Sequence, residues 1–310
     1  MYLNDKGHRL YKIFLGFFGI SKKPSRLEQE VFAKPLTEDE DFFANPKWVK
    51  GVVEIFNKRD LHKKYGVEFD TFASINDLYN LEKRGEGAFL DEMKQAGFNS
   101  FTIGVESLNP EILRSYNKEL MILPTMEKNE QEIYKSLSKG NKDDMLVKHY
   151  LSKTQNAINF AQDHKILIVG DYIFGNMEES QEDGAKGFEK FSGLENLHLA
   201  YLPIFTPFPG TGLWEEAYNS GKLIRTAEGK IDWSKFDASA GALDLGYDIE
   251  GLRNSSELDF YTSERYQRDM KTEIEQHPET IGMFKSRFNY LANLFPEDER
   301  VQGILKQKGF

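Results

Sequence analysis

Four strand-like apolar runs recur along the chain with helical segments between them, and this alternation limits the fold more than any other feature. VEFDTFASI (67–75) and FNSFTIGVES (98–107) are rich in β-branched and aromatic residues. ILIVGDYIFG (166–175) is nearly continuous in apolar residues, as expected of a strand buried on both faces. HLAYLPIFTPFPG (198–210) supplies a fourth strand over 198–206 and ends in a Pro/Gly-rich loop. Asn45-Pro46 opens a helix, because Asn caps and Pro loses nothing at the first helical position. Residues 89–96 predict a short helix stopped by Gly97, and Asn109-Pro110 opens another through about Tyr116. Leu151, Thr154, Ala157, Ile158 and Ala161 share one helical face, and a further helix is expected over 181–192. Strands and helices alternating at this spacing form βα units on a parallel sheet. An open doubly wound sheet and a closed or partial barrel both satisfy the pattern.

The alternation spans residues 37–223. Inside it, 119–148 is rich in Lys and Glu and reads as a partly helical insertion with a loop near SKGNKDD. Residues 224–310 read as mostly helical, with helices over about 256–275 and 281–294 that cap the sheet. Residues 1–36 include LYKIFLGFFGI (10–20), which Lys12 interrupts and no small-residue cleavage site follows, unlike a signal peptide. This segment is expected to dock on the body, with Phe14, Phe17 and Phe18 as an alternative contact for a partner or a membrane surface. No run of about 18 apolar residues occurs, so no membrane-spanning helix is expected, and a cytoplasmic location follows.

A formal net charge of −10 argues against a nucleic-acid-tracking surface. The absence of Cys removes disulfides, thiolate nucleophiles, thiolate zinc and a self-ligated iron–sulfur cluster. The histidines at 8, 62, 149, 164, 198 and 277 never stand three or four apart, so no helical metal pair is expected. No Gly-rich dinucleotide fingerprint or phosphate loop is present. In parallel α/β folds ligands sit beyond the carboxyl ends of the strands. That rule selects Ser74 and Asn76, then Gly104, Glu106 and Ser107, then Gly175, Asn176, Glu178 and Glu179, and finally Thr206 with the PFPGT loop. Asp39 and Asp41 join them if 31–36 is a strand. Glu106 is the most informative, because a carboxylate closing an apolar strand can accept hydrogen bonds from ammonium or hydroxyl groups. It can equally cap the helix that begins near Pro110. Glu178 and Glu179 stand at a helix N-terminus, where the dipole favours carboxylates whatever their role.

IGVESLNPEILRSYNK (103–118) resembles the fourth-strand segment of radical S-adenosylmethionine (SAM) enzymes. GDYIFGNMEESQED (170–183) resembles their fifth, with Asn176 and Met177 where the family often has Leu-Pro. LPIFTPFPGTGLWEEAYNSGKL (202–223) resembles the sixth-strand signature of the cobalamin-associated branch, DEDFFANPKWV (39–49) its second-strand segment, and IDWSKFD (231–237) its tail. The resemblance runs in order over most of 39–265. It implies an α/β fold, a partial βα barrel of the radical SAM type followed by a C-terminal helical region. It also implies SAM at the strand ends, near Glu106 and Ser107 and with Thr206 close by. The chain departs from the family in lacking the Cys-x-x-x-Cys-x-x-Cys loop that holds a [4Fe–4S] cluster.

Three readings follow. The first is a cluster-less derivative, or one part of a split or truncated radical SAM enzyme, that binds SAM and acts with a cluster-bearing protein partner. The chain alone is then not expected to cleave SAM reductively. It holds no iron–sulfur cluster of its own, and cobalamin is not expected. The second is a non-catalytic scaffold or regulatory binding protein. The third is a carboxylate-dependent α/β-barrel hydrolase, with Glu106 paired to Asp171, Glu178 or Glu179.

Overall fold

The computed structural model describes residues 42–307. The 1–36 segment, the 31–36 run, Asp39 and Asp41 lie outside the described residues. Helices α1 (Pro46–Arg59) and α2 (Leu61–Tyr65) lead into β1 (Phe69–Ala73). Then come α3 (Ile75–Lys83), α4 (Gly87–Ala96) and β2 (Phe98–Glu106). Helices α5 (Pro110–Ser115), α6 (Lys118–Ile122), α7 (Lys128–Ser136) and α8 (Lys139–Asp163) separate β2 from β3 (Leu167–Tyr172). Helix α9 (Gln181–Ser192) precedes β4 (Leu199–Tyr201), and α10 (Gly212–Asn219) follows it. Helices α11 (Ile249–Thr262), α12 (Glu264–Gln276), α13 (Ile281–Leu294) and α14 (Glu299–Leu305) complete the described chain. No described helix is long and apolar enough to cross a membrane.

The four strands form one sheet in the order β1-β2-β3-β4, and every neighbouring pair is parallel. This is the mixed α/β arrangement expected of a partial βα barrel. The two faces differ. Phe101, Ile103, Val105, Ile168, Tyr172 and Ala200 point to one side and are buried. Register places Asp70, Phe72, Thr102, Gly104, Val169, Asp171, Leu199 and Tyr201 on the other side, where burial is only partial or absent. The sheet therefore has a helix-packed face and an open face.

The packed face is held by aromatic layers. Phe56 of α1 stacks on Phe69 of β1 at 5.1 Å, and Phe69 stacks on Phe98 of β2 at 4.9 Å. Each buried ring contributes its apolar area plus about 1 kcal/mol from ring geometry. The edge strand β4 is closed by the C-terminal helices. Tyr261 Oη accepts from the Ala200 N–H at 2.9 Å and donates to the Ala200 carbonyl at 3.1 Å. Arg287 donates to the same carbonyl at 3.2 Å, and Tyr266 donates to the His198 carbonyl at 2.7 Å. An edge strand leaves unpaired N–H and C=O groups, and here side chains from α11, α12 and α13 satisfy them.

Three local expectations change. Helix α3 begins directly after β1, because Ser74 and Asp77 form a capping box that ends the strand at Ala73. The SKGNKDD stretch is not a loop but the cap and first turn of the 25-residue helix α8. The helix expected over 256–275 is two helices, broken where the Ser263 side chain accepts from the Tyr266 N–H as an N-cap.

Candidate binding site

Glu106 closes β2 with a φ of 66°, in the left-handed region that costs a non-glycine residue about 1–3 kcal/mol. The register slips between Gly104 and Glu106, and the turn is tied down around them. Ser107 N–H donates to the Val105 carbonyl at 2.8 Å, Ile173 N–H donates to the Glu106 carbonyl at 2.8 Å, and the buried Tyr150 hydroxyl donates to the Val105 carbonyl at 3.1 Å. The strained backbone folds the Glu106 side chain back over the sheet. A Cβ added at Gly104 would stand 2.2 Å from Glu106 Oε1, so only glycine leaves room for the carboxylate. Lys118 donates to the same oxygen at 3.3 Å.

Asp171 sits across from Gly104 in the β2–β3 register. Its Oδ1 is buried without a hydrogen-bond partner. Burial first, and then the Glu106 charge, push its carboxyl up to about 7. A third acid lies in the loop after β3. Glu179 is only 4% exposed; its Oε2 accepts from the Gly175 N–H at 2.5 Å, while Oε1 is buried and unpartnered. Burial pushes this carboxyl up to about 7 as well, against the lowering effect of the Gly175 hydrogen bond. Tyr116 lies within the influence of Glu106 and Glu179. Its hydroxyl accepts from Asn176 at 3.2 Å and its ring stacks on Phe205 at 6.5 Å. Burial raises the phenol to about 12, with the Glu106 and Glu179 charges adding to the shift.

The residues selected from sequence separate into two groups. Glu106 keeps a half-buried carboxylate on the open face, and Asn109, not Glu106, caps α5 by accepting from Glu111 and Ile112. Ser107 is fully buried, its Oγ accepting from the Asn109 N–H at 3.1 Å. Thr206 is 8% exposed, and its hydroxyl donates to the Ile204 carbonyl at 3.1 Å. Both hydroxyls shape their own turns. Ser74 is spent on the α3 cap, Asn76 accepts from Lys153, and the exposed Glu178 pairs with Lys222 at 3.4 Å. Lys118 and Tyr116 were not selected, although both fall in the 103–118 segment that carries the resemblance.

With Glu106, Asp171 and Glu179 near the carboxyl ends of β2 and β3, this end of the sheet is rich in acceptors. It suits a ligand that brings hydrogen-bond donors or positive charge. An iron–sulfur cluster does not fit the chain: none of its 310 residues is Cys, and among the described residues no three His, Cys, Asp or Glu side chains gather as metal ligands.

No family profile matches the chain. Two curated proteins of Chlorobaculum tepidum do. Bacteriochlorophyllide d C-12(1)-methyltransferase is 26% identical over 174 residues, covering 56% of this chain and 29% of that protein. Bacteriochlorophyllide d C-8(2)-methyltransferase is 24% identical over 185 residues, covering 60% and 32%. The chain thus spans about three-tenths of the length of these relatives. Among solved structures, the radical SAM methyltransferase TsrM from Kitasatospora setae, with cobalamin and a [4Fe–4S] cluster bound, aligns at TM-score 0.40 and 16% identity over 65% of this chain and 34% of that one. The radical SAM enzyme HemN (coproporphyrinogen III oxidase) from Escherichia coli aligns at TM-score 0.38 and 13% identity over 61% and 35%. The chain is similar to each of these proteins over part of its length.

Proposed function

We propose that this radical-SAM-like chain binds SAM at the carboxyl end of its sheet and does not cleave it reductively by itself. The observation that carries the reading is Glu106. Its carboxylate is held over Gly104 by a strained, hydrogen-bonded turn at the end of a parallel strand, where ligands of such folds bind. Glu106 would accept from the donor groups of SAM. Ser107 and Thr206 would act through the turns they hold, since both hydroxyls are engaged locally. Reductive cleavage needs an electron from a cluster, and the chain supplies no thiolate to hold one. A cluster-bearing protein partner would then complete the chemistry.

Calorimetric titration of SAM into the purified chain, with Glu106→Ala in parallel, tests this reading. Binding that the variant loses supports it. A folded wild-type chain that binds no SAM at millimolar concentration overturns it. A carboxylate-dependent hydrolase is the second reading, and Asp171 favours it: a carboxyl raised to about 7 beside a second carboxylate is the pairing that general acid and base require. It predicts hydrolytic activity that needs no SAM and that Glu106→Gln abolishes.

A further inference from the structure

The open face of the sheet carries one carboxyl that neither packing nor ion pairing explains. Asp171 is flanked in register by Gly104 on β2 and by Tyr201 on β4. Because position 104 has no side chain, the Glu106 carboxylate lies over it, on the β2 side of Asp171. Lys118 is bound to Glu106, so those two charges offset each other. Among the described residues no cation pairs with Asp171, and its Oδ1 is buried without a partner. A carboxylate in this position is costly unless a positive group arrives, so without one its ionisation is held back.

We propose that Asp171 is the residue of this site that selects for a cationic ligand group, a sulfonium or an ammonium. When that group docks on the open face, Asp171 releases its proton to solvent. A ligand without positive charge leaves the Asp171 proton equilibrium as it was and gains nothing from it. The inference rests on the SAM-binding reading above and adds the charge requirement. Two strands flank Asp171 on this face. From β2 comes Glu106, with Lys118 paired to it; from β4 comes Tyr201, a phenol, by register. The Glu106 charge also raises the Asp171 carboxyl, and burial outweighs it.

The experiment is calorimetry at about pH 6 and about pH 7, below the range in which a free α-amino group titrates. Each titration is run in two buffers of different ionisation enthalpy. The probes are SAM and uncharged 5′-methylthioadenosine, on wild type and Asp171→Asn. With a carboxyl near 7, SAM affinity for wild type is expected to fall about fivefold from pH 7 to pH 6. Binding should release most of a proton at the lower pH. Asp171→Asn should lose the share of both effects that Asp171 carries, leaving only what Glu179, a second carboxyl raised to about 7 in the loop after β3, contributes, and 5′-methylthioadenosine should bind both proteins without pH dependence. The inference is overturned, with SAM binding intact, if wild type and Asp171→Asn share one pH dependence or if the uncharged probe releases the same proton. Absence of SAM binding by the folded wild type overturns the underlying reading as well. Should Asp171→Asn fail to fold, the two-buffer comparison of the two probes on wild type still decides.

Discussion

Glu179→Gln should stabilise the protein at neutral and alkaline pH and leave it unchanged in acid. Glu179 is buried, with one oxygen accepting from the Gly175 N–H and the other unpartnered. A Gln side chain reproduces the protonated acid, since its carbonyl can keep the Gly175 hydrogen bond while its amide carries no charge. Burial raises the carboxyl to about 7 from the usual 4.5. The folded state therefore holds a proton that the unfolded state has already lost. Stability contributed by that proton is fully present below pH ~4.5 and is lost as pH rises toward ~7. A shift of this size is worth up to about 3 kcal/mol in differential stability. Denaturant unfolding of wild type and variant at about pH 4.5, 6 and 8 should then give a difference near zero at the lowest pH. The difference should grow in favour of Glu179→Gln and level off above about pH 7. A difference independent of pH would refute the reasoning, because it would mean that Glu179 is ionised in both states across the range.

Gly104→Ala should place a methyl group against the Glu106 carboxylate, 2.2 Å from Oε1. The far end of a flexible side chain can move, so circular dichroism should stay unchanged while SAM affinity falls about tenfold, through the loss of roughly one charged hydrogen bond. Gly187→Ala should behave differently, because its Cβ would meet Tyr172 Oη at 2.2 Å and Tyr172 is fully buried with no room to yield. A loss of about 1–3 kcal/mol in denaturant unfolding is expected. His198 accepts from the Ile168 N–H at 3.0 Å through Nδ1 and faces Glu273 at 3.4 Å through Nε2. His198→Ala would leave both buried groups without that partner and should cost about 3 kcal/mol by the same assay.

The strands were legible because their chemistry is local. The 166–175 run is apolar enough to specify a buried strand, and Asn45 and Asn109, each followed by Pro, cap helices as their sequence signals. Helix α3 was not, because its short stripe of Ile75, Leu78 and Leu81 begins inside a strand-like run. The signal that separates them is the Ser74-x-x-Asp77 capping pair. The first turns of α8 carry no apolar stripe; its buried residues begin at Leu146, so periodicity could not mark its start. At the site, Glu106 was legible from its place at the end of an apolar run. Asp171 was visible only as a polar interruption in such a run, and its position across from Gly104 depends on register, which no single strand encodes. The burial of Glu179 likewise depends on the loop folding back onto Gly175.

The central claim is that the ligand site lies on the open face at the carboxyl ends of β2 and β3. Backbone amide NMR of the isotope-labelled chain during titration with SAM tests it most directly. The account predicts saturable shifts at Gly104, Glu106, Asp171 and Gly175, with the amides of α13 and α14 unchanged. Saturable shifts confined to another surface, such as the cleft lined by Arg114, Lys139 and Lys142, would contradict it, as would a spectrum that SAM leaves unaltered.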